Sequence, residues 1–547
     1  MHRSPPFARR PWLALLLLSP SLALAAEKAP NQFDTVTVTA TRTEQTLDQV
    51  PSTVSVQTER DIDQKNVKNI QDLVRYEPGV SVGGSGDRFG LSGFTIRGIG
   101  GNRVLTQVDG VGMPDAFSFG GFLSAKRDYV DVDTVKQVEI IRGPASSLYG
   151  SDAIGGAVSF LTKDAGDYLD EGDDAYARLK TGYDGSDDSW QRSATFAARL
   201  GQVDGLLHLG RRSGQATDTH GGLGGIGATR EQANPLDYRT DNLLSKFGWD
   251  YSDSGRLQLT YERYQDDTDT RVLSNYSNTA TTRTQDAEDR VDRERYSLAH
   301  TQQLDTLLAD QIHSQLSYQD SQTRQQTFED RVVGGGARYR TRDSYYEEQL
   351  WAFNTKLDKA FNIGSTQHAL VYGLDVKHLK NADLRKGGET VLATGVNTPV
   401  LPTSDFPDPT TKEYALFAQD SISIGRWTLL PGLRYDHYEM SPHVTQKYLN
   451  SQATDRNPSD FKDSALSPKF GVTYQIDDAH SVYGQYAAGF RAPQAIEIFG
   501  EFANPGMYRT LANTNLKAET SDSFELGLRG QYAIGSFGAA LFYNQYD

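Results

Sequence analysis

Residues 523–532 read SFELGLRGQY. Phe524, Leu526 and Leu528 fall on one side of an extended chain, and Glu525, Gly527, Arg529 and Gln531 fall on the other. Strict alternation over this length predicts a β-strand with one apolar and one charged face, because successive side chains leave opposite sides of the pleat. Residues 256–265 repeat the pattern, with Leu257, Leu259 and Tyr261 opposing Gln258, Thr260 and Glu262. In residues 370–378, Leu370, Tyr372, Leu374 and Val376 oppose Gly373, Asp375 and Lys377. Runs of this kind, separated by polar loops, fill the chain from about residue 164 onward. They number about fifteen, and no further helical pattern interrupts them.

Two architectures fit such strands. A water-soluble sandwich buries the apolar face and wets the polar one; a transmembrane barrel turns the apolar face to lipid and keeps a polar lumen. The connections separate the two. Tight turns are expected near residues 201–203, 252–255, 305–310, 361–366, 424–426 and 477–480. Long loops are expected near residues 214–239, 266–289, 381–411, 443–463 and 491–520. Short turns on one side and long loops on the other are the asymmetry of an outer-membrane barrel. The expected fold is therefore mainly β, a transmembrane antiparallel β-barrel. The last run, ending Tyr543-Asn544-Gln545-Tyr546-Asp547, stops inside an alternating stretch. An unpaired edge is not viable in lipid, so the barrel is expected to be incomplete at this end.

The bulk composition agrees. The chain has 547 residues, 51 Gly, 28 Tyr, no Cys and a net charge of −16. Its acidity argues against a nucleic-acid partner, and the lack of Cys excludes a disulfide framework or a Cys-based metal site. Mean hydropathy is −0.56, which an alternating barrel tolerates. At the N-terminus, Arg3, Arg9 and Arg10 precede the apolar run WLALLLL and the small residues Ala23 and Ala25. This is the pattern of a secretory signal peptide over residues 1–25.

Residues 26–47 form a polar N-terminal segment. Within it, residues 34–40 (DTVTVTA) alternate Val36, Val38 and Ala40 against Thr. This reads as a free β-segment without a local partner, suited to pairing with the sheet edge of another protein. Residues 48–165 form a compact mixed unit. A strand is expected near residues 54–57 and a helix over residues 61–76, on the spacing of Ile62, Val67, Ile70, Leu73 and Val74. Further strands are expected at 94–96, 104–108 and 138–141, with loops at 83–87 and 113–126. The barrel would then occupy residues 166–547.

Between two alternating runs lies FRAPQAIEIFGEFANPGMYRTLANTNL, residues 490–516. It keeps no period and reads as a long ordered loop on a rigid sheet, where binding concentrates. No catalytic constellation stands out. Gly98-Ile99-Gly100-Gly101 lacks the following βαβ unit of a dinucleotide fingerprint, and neither a nucleophile elbow nor an HExxH motif occurs. The acidic segments 266–289 and 405–408 read as solvated surface, with cation binding as the alternative.

Together these features resemble the TonB-dependent outer-membrane receptors. Residues 34–40 resemble the TonB box. Thr95-Ile96-Arg97-Gly98, Val108-Asp109-Gly110-Val111 and Val138-Glu139-Ile140-Ile141-Arg142-Gly143-Pro144 resemble plug-domain motifs, as does the run from Leu148 to Val158. The resemblance implies a bacterial outer-membrane location and an α/β plug in the lumen of a barrel of about twenty-two strands. It implies a periplasmic partner, TonB with ExbB and ExbD, that pairs with Asp34, Thr35, Val36, Thr37 and Val38. It implies active transport rather than enzymatic chemistry, with no permanently bound cofactor.

Phe490-Arg491-Ala492-Pro493 matches the FRAP motif of haem and haemoglobin receptors. Asn513-Thr514-Asn515-Leu516 resembles their NPNL motif, with Thr in place of Pro. The resemblance thus implies import of haem, free or from a haem-carrying protein. Such receptors often carry an iron-ligating His between the two motifs. Here none of the ten His lies within residues 48–165 or 490–516. Tyr508 is the candidate phenolate ligand, with Arg509 beside it to hold the phenolate or a propionate. Phe117, Phe119 and Phe122 are candidate apolar contacts, and Tyr129 is a candidate plug-side donor. Arg97 and Arg142 are expected to pair with barrel-wall carboxylates, Glu525 first among them. A ferric siderophore is the alternative cargo. A surface adhesin or a signalling receptor is the more distant alternative.

Overall fold

The computed structural model describes residues 36–37, 41–84, 88–119, 123–127, 129–451, 453–504 and 508–547. Residues 1–25, expected as a signal peptide, most of segment 34–40, and Phe122 lie outside the described residues.

A sheet of sixteen strands forms the wall. It begins at Ala175–Asp184 and ends at Gly535–Tyr546, and each strand pairs antiparallel with its neighbour along the path. Val396–Thr403 lies off that path, paired with Thr366–Val391. The strand Glu519–Tyr532 shows which way the alternating faces turn. Phe524 and Leu526 are 53% and 62% exposed, whereas Glu525 and Arg529 are 5% and 7% exposed. Apolar residues outside and charges inside reverse the soluble-sandwich arrangement and are what lipid requires. Trp249 and Trp427 are among the outward aromatics, and each stands close to a short turn.

One end of the wall carries short turns, at residues 201–202, 253–254, 364–365, 425–426 and 533–534. The other carries the long connections 216–235, 272–285, 444–460 and 492–518. At this end the sheet rises well past a bilayer. Gly336–Ile363 has 28 residues and Thr366–Val391 has 26, against about ten needed to cross. The stretch 381–411, expected as loop, is therefore strand as far as Val391 and again over Val396–Thr403.

The lumen is filled by an inner unit built on a five-stranded sheet. Its order is Val54–Thr58, Val135–Arg142, Gly156–Thr162, Val104–Val108 and Val111–Gly112. Gly156–Thr162 and Val104–Val108 run parallel; the other pairs are antiparallel. Val138, Ile140, Val158 and Phe160 on the central strands are fully buried. A second sheet joins Val80–Gly84, Leu91–Ile96 and Ile99–Gly100.

Several local expectations change. The helix expected over 61–76 is two short helices, Glu59–Gln64 and Ile70–Leu73. Asn66 between them holds φ 49°, a left-handed conformation that ends an α-helix. The 113–126 loop folds into a hairpin of Phe117–Phe119 and Leu123–Ala125. Gly83 and Gly84 belong to a strand rather than a loop. After residue 164 short helices do occur, at Gln446–Leu449 and Ala495–Phe499. The segment read as a free strand has a local partner, since Val36–Thr37 pairs with Gln45–Thr46. Thr37 Oγ1 also donates to Glu139, and Gln137 Nε2 donates to the Val36 carbonyl at 3.0 Å.

Candidate functional site

The long connection between His480–Arg491 and Glu519–Tyr532 is ordered by its own sequence. Gln494 and Glu497 form a capping box that starts the helix Ala495–Phe499. Ile498 and Phe499 on that helix are buried. The Asn513 amide donates to the Ile498 carbonyl at 2.9 Å, and the Asn515 amide donates to Asn513 Oδ1 at 3.2 Å. Leu516 packs on the same apolar cluster as Phe490 and Phe499. The asparagine motif thus closes the loop back onto its helix.

The FRAP motif fastens this loop to the inner unit. Ser146 Oγ accepts from the Phe490 amide at 3.1 Å, and Ser151 Oγ accepts from the Ala492 amide at 3.0 Å. Pro493, without an N–H, needs no such acceptor. Arg491 Nη2 reaches Glu497 at 2.8 Å and Glu519 at 2.7 Å. Glu519 also takes Arg103 of the inner unit, Nε to Oε2 at 2.7 Å. Arg491 is therefore committed to holding the loop.

Beneath the loop lies a cavity of about 640 Å³, within the range of small-molecule sites. The side chains that shape its upper part come from distant strands. Phe117 stacks on Tyr346, with ring centroids 4.7 Å apart and planes 9° apart. Phe406 meets Phe117 edge-on at 5.7 Å. Tyr438 and Met440 complete the apolar rim. Asp115, Asp152, Glu348 and Glu413 also line the cavity, with Lys377 and Arg127 as the nearby cations. Lys377 Nζ pairs with Glu413 at 2.9 Å. Glu348 accepts from the Asp115 amide at 3.2 Å and from Asn381 Nδ2 at 3.1 Å. Burial raises the Asp115 carboxyl. Burial, then the charge of Asp115, pushes Asp152 up to about 7.

The residues singled out from the sequence divide. Phe117 is at the cavity. Tyr508 begins the short strand Tyr508–Thr510, which pairs with Phe502–Asn504; its side chain, like that of Phe119, lies outside the described residues. Arg509 faces Glu501, Nη2 to Oε2 at 3.5 Å. Tyr129 is buried in the core of the inner unit, edge-on to Tyr264 with centroids 6.0 Å apart, and does not line the cavity. Arg97 Nη2 lies 2.6 Å from Glu525 Oε2. Arg142 departs from expectation. It bonds the Pro78 carbonyl at 3.0 Å, Ser55 Oγ at 2.7 Å and Glu77 at 2.8 Å, all within the inner unit. Its strand is central in that sheet, so its guanidinium is spent tying the sheet to the 77–78 turn.

Tyr346, Phe406, Tyr438, Met440 and Lys377 escaped the sequence reading. For those on strands the signal was available only as parity; Phe406 lies in the connection between Val396–Thr403 and Asp408–Ile424 and carried none. Tyr346 and Glu348, and likewise Tyr438 and Met440, are alternate residues facing the lumen near the long-loop end.

Two family descriptions match this chain. Residues 46–157 match the TonB-dependent receptor plug domain, and residues 247–547 match the TonB-dependent receptor-like β-barrel. A similar relative is the hemoglobin-haptoglobin utilization protein B of Neisseria meningitidis. It is 26% identical, over 99% of this chain and 73% of the relative. A hemin receptor of Yersinia enterocolitica is 26% identical over 90% of this chain and 65% of its own length. Among solved structures, the Serratia marcescens hemophore receptor HasR, in complex with its hemophore HasA and heme, superposes with a TM-score of 0.70. That match has 19% identity and covers 91% of this chain and 73% of the receptor. The ferripyoverdine receptor of Pseudomonas aeruginosa gives 0.69 at 16% identity, covering 95% and 66%.

Proposed function

Because the chain belongs to the TonB-dependent receptor family, an outer-membrane family of transporters and not of enzymes, we propose that it imports haem. The observation that carries this reading is the aromatic-lined cavity beneath the loop, where Phe117 and Tyr346 stack in parallel. A planar, largely apolar ring system suits such a wall. The names of the similar relatives point the same way. The source is free haem or a haem-carrying protein.

In this reading Tyr508 supplies a phenolate oxygen to the ferric iron. Arg509 has Glu501 as a neighbour and Lys377 has Glu413, so a propionate reaching either cation competes with a carboxylate already there. Residues 34–40 supply the strand to which TonB adds, with ExbB and ExbD delivering the energy. Val36–Thr37 must first leave Gln45–Thr46.

A second reading keeps the transporter and changes the cargo. Asp115, Asp152, Glu348 and Glu413 put four acidic side chains on the cavity, an oxygen-rich lining that favours the polar body of a ferric siderophore over a largely apolar porphyrin. Titration of the purified protein with haem separates the two. A Soret shift that changes in Tyr508→Phe supports haem and its ligand. A shift that survives Tyr508→Phe overturns the ligand. No Soret shift, with tight binding of a ferric siderophore, overturns haem.

A further inference from the structure

Above the cavity one turn is pinned from three sides. It is residues 404–407, between the strands Val396–Thr403 and Asp408–Ile424. The Ser404 amide donates to the Lys447 carbonyl at 3.2 Å. The Asp405 carbonyl accepts from the Glu501 amide, in the loop 492–518, at 3.1 Å. The Asp405 amide donates to the Asp383 carboxylate, at 2.9 Å to Oδ2 and 3.2 Å to Oδ1. Asp383 lies near the long-loop end of Thr366–Val391, beyond the about ten residues that cross a bilayer. Pinned this way, the turn sets Phe406 into the roof of the cavity, edge-on to Phe117.

The third pin joins two acids. Asp383 and Asp405 are each 1% exposed, although the sequence reads Asp405 as solvated surface. Among the described residues one cation touches their carboxylates, Arg385 Nη2 on Asp405 Oδ1. Lys447 Nζ is committed to the Asp383 carbonyl and to Asp408, both at 2.8 Å. Glu501 takes Thr454 Oγ1 at 2.9 Å and faces Arg509. Tyr346 lies opposite Asp383 on the neighbouring strand, and its hydroxyl accepts from Asn381 at 3.1 Å.

Two buried negative charges in contact, with one cation between them, cannot both persist at neutral pH. Asp405 Oδ2 is buried and finds no N–H or hydroxyl donor among the described residues. The Asp383 carboxyl beside it supplies one when it carries a proton. Burial, then the charge of Asp405, raises Asp383 well above the usual carboxylate range, and burial raises Asp405 to about 6. Among the described residues no three acidic or histidine side chains meet as a metal ion would need. The charge missing from this pair is therefore a proton.

We propose that a proton shared by Asp383 and Asp405 latches the 404–407 turn over the cavity, and that its loss lets Phe406 withdraw and opens the cavity to cargo from outside the cell. With both carboxylates charged, Arg385 alone opposes their repulsion, and the turn leaves its third pin. Folding raises the carboxyl values, so the latch is full at acid pH and is lost as pH rises through them. The Glu501–Asp405 contact carries the change to the loop 492–518. The latch does not depend on whether the cargo is haem or a siderophore.

The test follows hydrogen exchange of the Asp405 and Glu501 amides in the full-length protein in detergent, each corrected for its intrinsic rate at the pH used. Wild-type protection should fall about tenfold between about pH 5.5 and about pH 8.5. Asp383→Asn keeps an acceptor for the Asp405 amide and gives Asp405 Oδ2 a permanent N–H, so it should hold the acid-side protection at both values. Equal wild-type protection at the two values overturns the latch. So does the same fall in Asp383→Asn, or an equal fall in the wall strand Gln311–Val333. If Asp383→Asn does not assemble, Asp405→Asn offers the same N–H from the other side and is read in the same way.

Haem supplies a second readout. Its association rate in the wild type, relative to Asp383→Asn at the same pH, should be equal near about pH 5.5 and about tenfold faster near about pH 8.5. A ratio that does not change with pH overturns the latch. Absence of any Soret shift overturns haem alone, and the exchange measurement then decides the latch.

Discussion

Arg97 and Glu525 meet across the seam between plug and barrel, Nη2 to Oε2 at 2.6 Å, with side chains 6% and 2% exposed. The Arg97 guanidinium also lies 3.8 Å from the ring centre of Phe542. Glu525 takes the Thr53 amide at 2.8 Å and the Tyr483 hydroxyl at 2.9 Å. With the Thr53 hydroxyl at 2.7 Å, one wall carboxylate thus gathers four donors from three residues. Glu525→Ala leaves a buried arginine without its counter-charge, which costs about 3–5 kcal/mol. The expected result is a lowered unfolding temperature in detergent. Combining it with Arg97→Ala should cost less than the sum of the two single changes.

Ser146 and Ser151 hold the backbone of Phe490 and Ala492. Ser146→Ala leaves a buried amide, and Ser151→Ala a part-buried one, without its acceptor, at about 1–3 kcal/mol each. The double variant should be cut faster within residues 492–518 under limited proteolysis and bind haem more weakly. Unchanged cleavage would show that the helix Ala495–Phe499 holds the loop alone.

Phe117 stacks face to face on Tyr346. Phe117→Leu keeps an apolar side chain but loses the aromatic pair, worth about 0.5–1.5 kcal/mol. Haem affinity should fall by up to about tenfold, since about 1.4 kcal/mol corresponds to a factor of ten. A ferric siderophore without a planar ring system should be indifferent to the change.

Asp152 is held up to about 7, from an ordinary value of 3.8, by burial and then by Asp115. Between those values the folded protein keeps a proton that the unfolded chain releases. Stability from this group is therefore full at acid pH, falls as pH rises through that window, and stays low above it. Asp152 has φ 72° and accepts from Ser151 Oγ at 3.0 Å; asparagine tolerates that backbone and offers the same acceptor. Asp152→Asn should raise the unfolding temperature near about pH 8 and leave it unchanged near about pH 3.5. A rise of equal size at both would refute the titration.

Deletion of residues 34–40 should abolish uptake while leaving ligand binding intact, because Val36–Thr37, the described part of that segment, lies at the opposite end of the lumen from the loop. Uptake that persists would refute coupling through this strand.

The alternating faces of residues 523–532 and 256–265 were legible in the sequence because the two-residue period is local and decides burial strand by strand. So were the turn-and-loop asymmetry and the ordered plug motifs. Local pattern also misled. Asn66 broke a helix whose apolar spacing was continuous, and the helix Ala495–Phe499 was too short to declare a period. The candidate site depended on what no local pattern carries. Phe117, Tyr346, Lys377 and Met440 become neighbours of one cavity only when the wall strands bearing the last three curve around the plug that bears Phe117. Arg142 and Arg97 looked alike in sequence, each in a plug motif before a glycine. The central position of the Arg142 strand turned one arginine inward to Glu77, while the turn at Arg97-Gly98 aimed the other at the wall. Periodicity in a chain specifies which face a residue takes. Which residues then share that face, hundreds of positions apart, is set by strand order and register, and these exist only in the assembled fold.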